Sequence, residues 1–149
     1  MEKLTFSTTI NAPREKVWET LWDSVSYAQW CDVFSPGSVY EGELSEGSKV
    51  YFLGPDRSGM VSSVAEKRPN EYMAFKHLGV LNKGVEDLES DTAKLWAGAY
   101  ETYTLQGEGQ QTVLTVTTET TDEYVDYFNT TWPQALERLK SLAERTVPA

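Results

Sequence analysis

The sequence predicts an α+β protein in which an antiparallel sheet of about six or seven strands curves around one long C-terminal helix, with two short helices after the first strand. Three observations carry this expectation. Residues 120–145 place apolar side chains at helical spacing without interruption. From Pro36 to Thr120, turn residues recur at intervals of 8–12 and separate short runs of β-forming residues. Those runs follow one another as hairpins, without the helical crossovers that parallel strands need.

The elements follow in order. Residues 3–10, KLTFSTTI, alternate strictly, with Leu4, Phe6, Thr8 and Ile10 on one face, which predicts a half-buried strand. Asn11-Ala12-Pro13 ends it and offers proline to the first turn of a helix, where its missing amide costs nothing. Val17, Trp18, Leu21 and Trp22 form the apolar side of that helix, and a second short helix runs from Ser24 to about Trp30. SVYEGEL and SKVYFLG form a hairpin around Ser45-Glu46-Gly47. GMVSSVAEK and EYMAFKHLG form another around Arg68-Pro69-Asn70, and YETYTLQ and TVLTVTTE a third around Gly107-Glu108-Gly109. Val80 to Leu95 is longer than a hairpin needs, and its acidic run Glu86–Asp91 lacks calcium-loop spacing, so it predicts a solvated, mobile connection.

The closing helix, Thr120–Arg145, spans roughly 37 Å and needs a partner of equal length. Thr120 and Glu123 have the spacing of a capping box. Pro133 removes the hydrogen bond to the Asn129 carbonyl but projects opposite the apolar stripe. Leu136, Leu139, Leu142 and Ala143, beyond the proline, form an anchor on the sheet. Tyr124, Tyr127, Phe128 and Trp132 are bulkier and partly polar, and are placed to roof a cavity.

Composition narrows the function. The 149 residues suit one domain, large enough to bury roughly 68–70% of its unfolded surface. A net charge of −10, with no basic segment, works against nucleic acids and anionic membranes. Cys31 is the single cysteine, so no disulfide framework or thiolate metal cluster is expected. Without an apparent signal peptide or transmembrane run, the sequence predicts a soluble cytoplasmic protein. No P-loop, dinucleotide fingerprint, zinc motif or Gly-x-Ser-x-Gly elbow is present, so neither cofactor nor metal is expected.

INAPREKVWETL, the GELSEGSKVYF hairpin, the pair VSSVAEKRPNEYMAFKHLG, the pair YETYTL and TVLTVTTE, and the closing WPQALERLKSLAE together resemble one family over essentially the whole chain. It is the Hsp90-ATPase-activator-homologue-1-like (AHSA1-type) branch of the helix-grip superfamily, the START/Bet v 1-like SRPBCC proteins. The resemblance implies a curved antiparallel sheet gripping the C-terminal helix around an apolar pocket. It also implies two alternatives to small-molecule binding, a protein-interaction domain of the co-chaperone type and a cyclase- or dehydratase-type enzyme.

The residues supply candidates for each. His77, the only histidine, shares a face with Met73 and Phe75. Turned inward, it would sit at an apolar cavity with a near-neutral pKa, fit for a proton relay or for orienting a ligand; the alternative is a packed histidine bonded to the backbone. Glu101 shares a face with Tyr103 and Leu105, where a buried carboxyl would have a raised pKa and act as acid, base or headgroup ligand, unless an open rim solvates it. Trp30, Phe52, Met73, Phe75, Leu114, Tyr124, Phe128 and Trp132, with His77, Glu101 and Tyr103, form the expected lining for a small apolar or aromatic molecule. Trp96 is out of phase with Glu101 and is expected to face outward. Cys31 reads as a small buried hydrophobe, since no third group would orient a Cys31–His77 pair.

Overall fold

The alternating run 3–10 forms, with Glu2, the nine-residue first strand, β1 (Glu2–Ile10), whose exposure alternates from Lys3 until Ile10 is fully buried. The computed structural model describes residues 1–145. Two short helices follow, α1 (Arg14–Trp22) and α2 (Ser24–Cys31). Pro13 stands one position before α1 rather than inside its first turn, and its carbonyl accepts the first helical hydrogen bonds. Asp23 ends α1 and starts α2, its carboxylate accepting from the Val25 and Ser26 amides.

The remaining strands are β2 (Val39–Glu41), β3 (Lys49–Leu53), β4 (Gly59–Arg68), β5 (Tyr72–Asn82), β6 (Val85–Asp87), β7 (Tyr100–Glu108) and β8 (Gln111–Thr120). They form one antiparallel sheet in the order β1-β8-β7-β5-β4-β3-β2, and β6 pairs with β5. The sheet thus has eight strands, more than the six or seven expected, because the acidic connection folds into regular structure. It turns at Lys83-Gly84, both with positive φ, pairs back on β5 as β6, then winds into α3 (Asp91–Trp96). Its charges have work: Glu86 accepts from Lys49 Nζ (3.0 Å) and Tyr51 Oη (2.6 Å), and Asp87 accepts from the Glu89 and Ser90 amides. The third hairpin also turns later than expected. Gly107 and Glu108 remain in β7, and Gly109, at φ 66°, makes the turn.

Two register shifts bend the sheet. Between Val61 and Ser62 one extra residue, Leu78, enters β5; between Val64 and Glu66 the extra residue is Ala65 of β4. Close approach between strands is tightest at Gly59, opposite Leu53, where an added Cβ would lie 1.7 Å from the Phe52 carbonyl oxygen. Only separation of β3 from β4 relieves such a clash. Gly59→Ala is therefore expected to lower the unfolding free energy by about 3 kcal/mol or more in urea denaturation, and an unchanged midpoint would refute this packing.

The last helix, α4 (Val125–Glu144), begins five residues later than the sequence suggested. Thr120 ends β8 with its hydroxyl buried and unpaired, so the capping box does not form, and a single 3-10 turn at Asp122–Tyr124 leads into α4. Beyond Trp132 its buried side chains are Ala135, Leu136, Leu139 and Ala143, with Leu142 half-buried, and Pro133 is exposed. This half closes the main core with Ile10, Val17, Leu21, Leu114 and Val116. Strand alternation divides β3: Val50 and Phe52 join that core, while Tyr51 and Leu53 join a smaller cluster with Val61, Leu78 and Leu81. Among the described residues no helix is long and apolar enough to cross a membrane.

Candidate functional site

Beyond Trp132 toward its N-terminus, α4 stops packing tightly: Phe128 is half-buried, and Tyr127, like Tyr124 in the preceding turn, is exposed by about two fifths. Below this stretch lies a cavity of about 890 Å³, within the range of small-molecule pockets. The sheet forms its floor, α2 and the following loop one wall, and α3 another.

Aromatic rings dominate the lining. Trp30 and Trp132 lie 6.1 Å apart, Tyr103 and Trp132 6.2 Å, Phe34 and Trp132 5.0 Å, and Tyr27 meets Trp30 edge-on at 5.3 Å. Trp30 is fixed by a hydrogen bond from its indole Nε1 to the Leu21 carbonyl (3.2 Å). Phe34 is held from the helix side, its carbonyl accepting from Tyr127 Oη (2.7 Å).

Polar side chains are interspersed, and Glu101, Tyr103 and His77 are the ones that strands β5 and β7 bring to the floor. Glu101 lies inward on β7, paired in register with Phe75 and Thr118, and Tyr103 Oη donates to one of its carboxylate oxygens (2.7 Å). Burial raises its pKa above the ordinary carboxylate value, and the Tyr103 hydrogen bond partly opposes this. Burial also drives the Tyr27 and Tyr103 phenols well upward, with the charge of Glu101 adding to both, so they remain protonated donors. His77 shares a 2.7 Å hydrogen bond with Ser62 through Nδ1, and burial lowers its pKa to about 4. The near-neutral value expected for it is therefore wrong: no acidic partner offsets the desolvation, so the ring is neutral at pH 7. It is packed against a polar partner and borders the cavity at once. Burial likewise pushes the Cys31 thiol strongly up, leaving it an inert wall group.

Of the side chains singled out in the sequence, Trp30, Phe52, His77, Glu101, Tyr103, Tyr124, Phe128 and Trp132 line the cavity. Met73, Phe75 and Leu114 do not. All three are fully buried in the core, where Phe75 touches Trp22, Phe52 and Tyr103 and backs the wall. The sequence reading missed Tyr27, Phe34 and the polar pair Glu119 and Thr118. It also misplaced Trp96, which α3 turns against Tyr124 (5.9 Å) at the cavity edge. The spacing of Tyr27 and Trp30, one turn apart on α2, was the signal available for the first. Nothing in the local pattern announces α3. Among the described residues no three His, Cys, Asp or Glu side chains converge as a metal site.

A curved antiparallel sheet closed by a C-terminal helix over such a cavity defines the helix-grip class. The chain belongs to the Activator of Hsp90 ATPase homolog 1-like protein family, whose profile matches residues 11–144. Solved structures agree on the fold. Protein MLL2253 of Mesorhizobium loti superposes with a TM-score of 0.76 at 16% identity, covering 99% of this chain and 100% of its own. The Aha1 dimer of Colwellia psychrerythraea gives 0.69 at 21% identity, covering 97% and 98%. DynU16, from the dynemicin biosynthetic locus, gives 0.71 at 20% identity over 97% of this chain and 48% of its own. No curated protein matches the sequence.

Proposed function

We propose that this protein binds one small apolar or aromatic molecule between its curved sheet and the N-terminal half of α4. The observation that carries the reading is the 890 Å³ cavity itself, rich in aromatic side chains and with apolar surface predominating over polar. A concave space of this size, open at one side and lined by many aromatic rings, has the dimensions of a small-molecule site. Trp30, Phe52, Phe128 and Trp132 supply stacking surface, while Glu101, Tyr103 and His77 orient the guest. Met73, Phe75 and Leu114 support the walls from behind. Catalysis is less well supported, since a histidine held neutral down to about pH 4 is a weak base. The buried free thiol of Cys31 suits a reducing cytoplasmic setting.

The test is native mass spectrometry of freshly purified protein, followed by titration with the neutral dye Nile red. One co-purifying small molecule, or dye fluorescence saturating at one equivalent per chain, is the expected outcome. Absence of both would remove the reading.

A further inference from the structure

Resting on the ligand-binding reading above, we infer that the cavity selects apolar or aromatic molecules carrying a protonated amine, with the ammonium facing the Glu101 carboxylate. The charge inventory of the walls is one-sided. Among the described residues the lining holds three carboxylates, Asp56, Glu101 and Glu119, and no lysine or arginine. The one titratable base, His77, is uncharged at neutral pH.

Two of the three carboxylates are already engaged with backbone. Asp56 accepts from the Ser58 amide (3.0 Å), and Glu119 accepts from the Tyr100 amide (2.8 Å). Glu101 receives a single hydrogen bond, from Tyr103, and no cation approaches it among the described residues. A carboxyl in an apolar wall either holds its proton, the direction in which burial drives Glu101, or is stabilised as the anion by a cation, which a protonated amine would supply. Tyr103, which donates to Glu101, packs against Trp132, and Trp132 against Trp30, so the carboxylate lies in an aromatic part of the wall that suits the apolar body of such a guest. A guest with a carboxylate would instead bring like charges together, and a neutral guest would leave Glu101 with the Tyr103 hydrogen bond and no cation.

Isothermal titration at pH 7 with three naphthyl probes of one shape tests this: 1-naphthylmethylamine, 1-naphthylmethanol and 1-naphthoic acid. The amine is expected to bind about thirtyfold or more tightly than the alcohol, with the acid weakest. Glu101→Gln should collapse the amine-to-alcohol ratio to within about threefold, its fold being verified by cooperative urea unfolding. The wild-type ratio stands as evidence even if that variant does not fold. Equal binding of amine and alcohol by the wild-type protein overturns the inference but leaves the cavity reading intact. A preference that survives in Glu101→Gln overturns the assignment to that residue. Failure of all three probes overturns both.

Discussion

Replacement of Leu139 by alanine is expected to lower the unfolding free energy by about 2–5 kcal/mol, the range for deleting a fully buried leucine from a close-packed core. Phe128→Ala, made on the same helix, is expected to cost about 1 kcal/mol or less, because its ring is only half-buried and borders a space that already exists. The functional ranking is the reverse. Phe128→Ala enlarges the cavity and should change dye affinity by about threefold or more, whereas Leu139→Ala, measured where it remains folded, should leave it unchanged. Urea denaturation and Nile red titration of the two variants provide the comparison. If both cost the same stability, α4 would not be divided into an anchor and a roof.

The second large effect is a pH dependence. His77 is held at about 4 by burial, below its ordinary value of 6.5, so the folded protein takes up a proton less readily than the unfolded chain. Above pH 6.5 both states carry a neutral ring and the contribution is fully present. As pH falls through 6.5 towards 4, the unfolded chain protonates first and folding stability is lost. At pH 4.5 that loss amounts to about 2–3 kcal/mol relative to pH 7. Glu101 works in the opposite sense, since its pKa is raised and the folded state gains stability as the carboxyl protonates. Comparing the wild-type protein with His77→Gln cancels that contribution. Urea unfolding at the two pH values should show the wild-type protein losing about 2–3 kcal/mol more than the variant, and equal losses would mean that the imidazole is not desolvated.

Much of this site was legible because it lies on strands and a helix with clean periodicity. Alternation put Glu101 on one face with Tyr103 and His77 on one face with Met73 and Phe75, leaving open whether either turned inward, and helical spacing grouped Phe128 with Trp132. What alternation could not show was the solvation of His77, because its pKa depends on which charges other strands bring near, and they bring none. The capping box failed for a related reason. Thr120 pairs with Glu2 across the sheet, and strand pairing outweighs a local helix signal. The region around α3 was the least legible, since a three-residue strand and a six-residue helix are too short for periodicity to register. Its acidic residues suggested solvent, and most are exposed, yet Glu86 and Asp87 also satisfy specific donors, and the segment ends in a helix that sets Trp96 at the cavity rim.

The five tryptophans allow a direct test of where a guest binds. Trp30, Trp96 and Trp132 line the cavity, whereas Trp18 and Trp22 lie outside it on α1. In a proton–nitrogen NMR titration with 1-naphthylmethanol, the indole signals of the first three should shift together and saturate at one equivalent, while those of Trp18 and Trp22 stay largely in place. Shifts confined to Trp18 and Trp22, or no saturable shift at any indole, would contradict a binding site between the sheet and α4.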